Sequence, residues 1–193
     1  ARVEYPPRDW GLEEPFTANE MFEKLKASPY FGGFSDNFLW GMVANSQHES
    51  GNIVNNAGDP ESKIGKRTFE PVKNFCSFGY WQLNLCSGDG QGSSFLETET
   101  IKKLLPEKRV AGEPYSDQLS DQIFKLITSE ALQFSFVAEQ TKIMFPGQWN
   151  SDSISASVAG ESFCRKFENP AGADTKCPAR GKTAEKLKRE ATS

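Results

Sequence analysis

Apolar residues recur at helical spacing over most of this chain and give way, in its second quarter, to short runs separated by turn residues. Thr17 followed by Glu20 has the form of a capping box ahead of Met21, Phe22 and Leu25, so a first helix is predicted over about 18–28. Tyr30-Phe31-Gly32-Gly33 breaks it. Ser35 or Asp36 opens a second helix that carries Phe38, Leu39, Met42 and Val43, and Gly51 closes it as a C-cap. Residues 42, 46 and 49 share one face of this helix, so its core-facing stripe ends on a carboxylate, Glu49. From 52 to 98 turn signals dominate (Asn55-Asn56, Gly58-Asp59-Pro60, Gly65-Lys66, Ser87-Gly88-Asp89-Gly90), and Phe78 to Leu85 reads as strands of a small hairpin sheet. Further helices are predicted near 96–105, from Asp121 to Phe145-Pro146-Gly147, from a Ser153 cap to Asn169-Pro170, and over about 179–190. Residues 1–17, with Pro6, Pro7 and Pro15 among mixed charges, read as an extended arm, and 18–193 as one mostly helical α+β domain.

Composition adds exclusions. A net charge of −4 gives no electrostatic case for nucleic acid. The cluster Arg180, Lys182, Lys186, Lys188, Arg189 reads as a solvated helix face. No apolar run reaches the roughly 18 residues of a membrane span, and Ala1 to Trp10 has no apolar signal core. His48 is the only histidine and no C-x-x-C occurs, so no metal site and no cofactor is expected. The cysteines at 76, 86, 164 and 177 form two local pairs. Buried free thiols are one reading, and the disulfides Cys76–Cys86 and Cys164–Cys177 the other. The aromatic share, with 15 Phe and four Trp, is enough to build a core and leave rings for sugar faces.

Glu49 is the residue with chemistry to explain. Burying an unpaired charge on a core-facing stripe is costly. Glycoside cleavage, however, needs a carboxylic acid that keeps its proton near neutral pH, and apolar burial at the negative end of a helix supplies that environment.

Gln47-His48-Glu49-Ser50-Gly51-Asn52, followed by Phe78-Gly79-Tyr80-Trp81-Gln82-Leu83-Asn84, resembles the lysozyme-like superfamily of muramidases and lytic transglycosylases. The resemblance implies that the Glu of Glu-Ser-Gly is the acid and that the Gly-x-x-Gln strand lines a cleft. Phe167-Glu168-Asn169-Pro170 and Arg180 look like the phage tail lysozyme family, over roughly residues 35–190. The long insertion at 59–75, the flanking cysteines and Trp81 depart from that pattern. It implies a lysozyme-like fold with Glu49 at the base of the cleft. The implied activity is cleavage of β-1,4 bonds between N-acetylmuramic acid and N-acetylglucosamine, without metal or cofactor. The implied partner is peptidoglycan, met from a phage tail during infection or from an endolysin at lysis. Other phage tail or baseplate proteins could be held through the N-terminal arm. A non-catalytic tail protein that keeps the fold, and a chitinase-type enzyme, are the alternatives.

Of the remaining candidates, Asp59 is the nearest second carboxylate, although Gly-Asp-Pro is turn chemistry in itself. Ser50, Gly79, Tyr80, Gln82 and Asn84 are the expected substrate-binding residues. Gly79 would let backbone approach a sugar, Gln82 would bond an N-acetyl group, and Ser50 would bond either Glu49 or a helix carbonyl. Strand alternation lets only one of Tyr80 and Trp81 face the cleft, with Tyr80 preferred. His48 lies about 100° round the helix from Glu49 and is expected at the rim.

Overall fold

The computed structural model describes residues 12–60, 75–85, 90–105 and 117–192. Eight α-helices and a three-stranded sheet occur among them. The first helix, α1 (Ala18–Ala27), begins at the expected capping box: the Thr17 hydroxyl accepts from the Glu20 amide and Glu20 returns the bond. Within the predicted arm, residues 12–17 run along the end of the second helix, tied by Phe16 N to Asn52 O and Glu13 N to Asn55 Oδ1. Residues 1–11, including Pro6 and Pro7, lie outside the described residues.

The second helix, α2 (Asp36–Ser50), is capped by Ser35 and closed by Gly51 at φ 67, as its sequence predicts. Every residue from Phe38 to Ser46 is buried, which makes it the central helix rather than an amphipathic surface one. Phe22 of α1 stacks on Trp40, with ring centroids 4.1 Å apart.

Two helices from the C-terminal third pack on α2: α7 (Ala156–Phe163) and α8 (Ala173–Thr192). Three glycines let them approach. A Cβ on Gly41 would lie 2.6 Å from Gly160 N, and one on Gly181 would lie 2.6 Å from Ser157 O. A Cβ on Gly160 would meet Arg180 O at 3.0 Å. These glycine contacts draw α7 close against both α2 and the middle of α8, and this packing positions the site.

The sheet is antiparallel in the order β1 (Ala57–Pro60), β2 (Phe75–Phe78), β3 (Leu83–Asn84). Ala57 pairs with Phe78, and Phe78 with Leu83. Gly58-Asp59-Pro60, expected as a turn, is strand instead, with Gly58 opposite Ser77 and Pro60 opposite Phe75. A proline can occupy an outer strand because the sheet's edge does not need its missing N–H.

The long helix predicted from Asp121 is two helices, α5 (Asp117–Ile127) and α6 (Glu130–Met144). The Thr128 hydroxyl bonds back to Phe124 O, and the Ser129 hydroxyl accepts from Leu132 N as a new N-cap, so local side-chain bonds end one helix and start the next. Near 96–105 there are likewise two short helices, α3 (Gln91–Leu96) and α4 (Glu99–Leu104), the second capped by Thr98. The cap of α7 is Ser155, not Ser153. The last helix begins six residues earlier than predicted, with Pro178 inside it. Between α7 and α8 runs a π-turn, Cys164–Glu168, closed by Asn169 N to Cys164 O at 2.8 Å.

A disulfide joins Cys164 of the π-turn to Cys177 of α8. The Cys76 side chain and Cys86 lie outside the described residues. No described helix is long and apolar enough to cross a membrane.

Candidate active site

The end of α2, the β2–β3 hairpin, the π-turn and the first half of α8 enclose a cleft of about 900 Å³. His48 and Glu49 line it from α2, Gln82 and Asn84 from the hairpin, Glu168 and Asn169 from the π-turn, and Lys176 and Arg180 from α8. A smaller hollow of about 220 Å³ adjoins it, sharing Gln82, Asn84, Glu168 and Asn169 and extending to Trp81, Gln91 and Lys166. Segments far apart in sequence thus converge on one extended groove.

Glu49 sits at the cleft wall but not in the environment expected for it. Its side chain keeps 19% of its accessibility, and its Oε1 lies 2.7 Å from Arg180 Nη1. It is a paired carboxylate, not an isolated one in apolar surroundings. The same Arg180 nitrogen donates to Asn45 Oδ1 at 3.0 Å, and Asn45 Nδ2 donates to Gly41 O and Gly160 O, both at 2.9 Å. Asn45 and Glu49 stand four residues apart on one face of α2, so one guanidinium serves both. The network crosses all three packed helices at the glycine contact.

Glu168 has the environment that the sequence assigned to Glu49. Its Oε1 is closed to solvent and has no hydrogen-bond partner among the described residues. Burial pushes its carboxyl well above the usual range, the charge of Glu49 adds to this, and Arg180 opposes it.

The hairpin residues divide. Residues 79–82 form the turn between β2 and β3, so Tyr80 and Trp81 do not alternate across a strand. Tyr80 is fully buried, donates from its hydroxyl to Glu130 Oε1 at 2.6 Å and stacks on Phe134. Trp81 borders the smaller hollow while its indole Nε1 donates to Met42 O, so the preference for Tyr80 at the sugar face is overturned. Gly79 does not face the cleft either. It has φ +85, and a Cβ there would lie 2.5 Å from Gln133 Oε1. Gln133 is itself a buried strut beneath the hairpin: it accepts from Tyr80 N and donates to Val54 O and Ile127 O.

Ser50 is also structural. Its hydroxyl is buried against Ser46 O and Tyr80 O, joining the end of α2 to the hairpin turn. That bonding occupies the group expected to meet substrate. Gln82, at φ 49, directs Nε2 to Asn56 O and Gly79 O at 3.0 Å each, so its amide carbonyl is the side left for a ligand. Asn84 lines the cleft from β3. The side chain of Asp59 lies outside the described residues.

His48 lies in the cleft wall, with Nε2 3.0 Å from Thr183 Oγ1. Desolvation and then the charge of Arg180 push its pKa below the usual value. Sequence reasoning assigned no role to Asn45 or Gln133, and met Asn169 only as a helix stop and within a resemblance. Glu168 it met only as an element of a resemblance, and Arg180, also part of that resemblance, it placed on a solvated helix face, whereas the guanidinium is buried against Glu49 and Asn45. No protein-family model matches this chain, and no curated protein matches it.

Proposed function

We propose that this protein cuts the glycan strands of bacterial peptidoglycan on a lysozyme-like fold, with Glu49 as an essential carboxylate. The single observation that carries the reading is convergence: Glu49, Gln82, Glu168 and Arg180, drawn from four separate sequence elements, line one groove. The groove's chemistry agrees. Gln82, Asn84 and Asn169 contribute amides suited to N-acetyl groups, and two carboxylates lie in unequal surroundings, the arrangement acid–base chemistry at a glycosidic bond requires. The setting is a phage tail opening the host wall during infection, with peptidoglycan as the partner.

The test is mass spectrometry of muropeptides released from purified sacculi. Reducing ends identify a hydrolase and anhydro ends a transglycosylase. Absence of products from folded protein refutes the reading and leaves a tail component that keeps the fold for assembly or glycan binding.

A further inference from the structure

Glu168 is a carboxyl of this cleft to which the resemblance to known enzymes assigns no role. It belongs to a π-turn, the kind of helix irregularity that re-aims a side chain. Within that turn Phe167 is buried against Phe163, with stacked rings 4.5 Å apart, and Glu168 borders both hollows of the groove. Its Oε1 is shut away from solvent without a hydrogen bond. A carboxylate oxygen so placed would be a severe liability, whereas the carbonyl oxygen of a neutral carboxyl costs far less to leave unpartnered.

The charged and titratable groups around it are Glu49 and His48 from α2, Lys166 from the π-turn, and Lys176 and Arg180 from α8; the hairpin side offers the amides of Gln82 and Asn84. Two of the three cations and one carboxylate are already engaged. Arg180 bonds Glu49 and Asn45, and Lys166 donates to Met144 O and lies over the Phe145 ring.

From this geometry we infer that Glu168 is the proton donor of the groove and that Glu49, held by Arg180, is the partner that receives a proton. The inference rests on the glycan-cleavage reading and deepens it. In the step, the Glu168 carboxyl proton passes to the glycosidic oxygen as the bond from the anomeric carbon to that oxygen breaks. The bond's electron pair stays with the leaving oxygen, which departs as a hydroxyl. The attacking hydroxyl, from water or from the sugar's own C6, bonds the anomeric carbon and gives its proton to Glu49. Solvent then returns a proton to Glu168 and removes one from Glu49, so the cycle closes without another reactant.

The experiment pairs turnover of soluble glycan strands, from about pH 5 to 9, with a carbon-13 NMR titration of glutamate carboxyls in the intact protein, for wild type, Glu168→Gln and Glu49→Gln. The expected result is a loss of about 10²-fold or more in kcat for Glu168→Gln at unchanged KM. One carboxyl should titrate above the ordinary range in wild type and Glu49→Gln, and be missing from Glu168→Gln. A Glu168→Gln enzyme within about tenfold of wild type that keeps the wild-type alkaline limb would overturn the inference, as would persistence of the high-titrating carboxyl. Should Glu168→Gln not fold, Glu168→Asp decides: it keeps the acid but retracts it, so reduced turnover with the alkaline limb retained is expected, and wild-type turnover refutes the role. A wild-type protein that releases no products at any pH defeats the glycan-cleavage reading itself, and the catalytic role with it. Failure at Glu168 alone leaves that reading standing.

Discussion

Arg180 Nη1 stands 2.7 Å from Glu49 Oε1 and 3.0 Å from Asn45 Oδ1, so one nearly buried guanidinium nitrogen fixes both the cleft carboxylate and the polar centre of the three-helix contact. Removing it leaves two acceptors stranded. Arg180→Met should destabilise the protein by about 2–4 kcal/mol, because the buried Asn45 oxygen loses its donor and Glu49 its counter-charge. Urea unfolding measures this, and a loss below about 1 kcal/mol would mean the network is incidental. Arg180→Lys should not rescue it fully, since an ammonium lacks the planar fork.

Glu49→Gln should lose about 10²–10⁴-fold of glycan cleavage while keeping the wild-type fold, because the amide still offers Arg180 an oxygen but takes no part in proton transfer. Muropeptide release with matched circular dichroism is the check. Near-normal release would remove Glu49 from the mechanism.

A pH-dependent stability difference should follow Glu168. Its folded pKa is raised above the unfolded value, so the native state holds the proton more tightly. The group's contribution is fully present below the unfolded pKa and disappears as pH rises through the folded one. Glu168→Gln should therefore melt higher than wild type at alkaline pH and match it near pH 4, the lower limit being set by an unfolded pKa of about 4.3. Melting curves of both proteins across this range test it, and equal melting at alkaline pH would mean that Glu168 is ionised without penalty.

Gly79→Val should reduce stability by about 1–3 kcal/mol, because it adds a branched side chain at positive φ against Gln133. Substrate affinity should change less than the fold does. If Gln133→Ala costs less in the Gly79→Val chain than in wild type, the clash is the cause; a KM effect without loss of stability would return Gly79 to the sugar-binding surface.

Reduction of Cys164–Cys177, or its replacement by serines, should lower the melting temperature by roughly 4–16 °C, from about 2–4 kcal/mol spread over a chain of this size. The bond anchors the π-turn to α8, so glycan cleavage should weaken before the helices unfold. Parallel melting and activity measurements across a dithiothreitol series test this, and a loss of activity that does not precede melting would refute it.

Features written in local chemistry were legible from sequence. The α2 boundaries follow from Ser35 and Gly51, and the α1 start from Thr17 and Glu20, because caps act within one turn. The start of the last helix was not legible: it was predicted near 179 but lies at Ala173, and the disulfide at Cys177 and the packing of Gly181 on Ser157 hold α8 together across Pro178. The hairpin assignment survived while the facing of Tyr80 and Trp81 did not, since Gly79 and Gln82 take left-handed conformations that abolish strand alternation. Glu49 could be found because its helix delivers it. Glu168 could not be ranked as an acid, because its burial, and the charges of Glu49 from α2 and Arg180 from α8 beside it, arise from tertiary packing that no local pattern reveals.

The π-turn at 164–168 has one residue more than an α-helical turn would use. Deleting that residue would let the backbone ladder of α7 run on without interruption, and every side chain beyond the deletion would rotate by about 100°. Phe167 would leave its packing and Glu168 would swing off the groove. The groove thus depends on a helical phase error: without the extra residue, Glu168 would not reach the groove that the π-turn places it in.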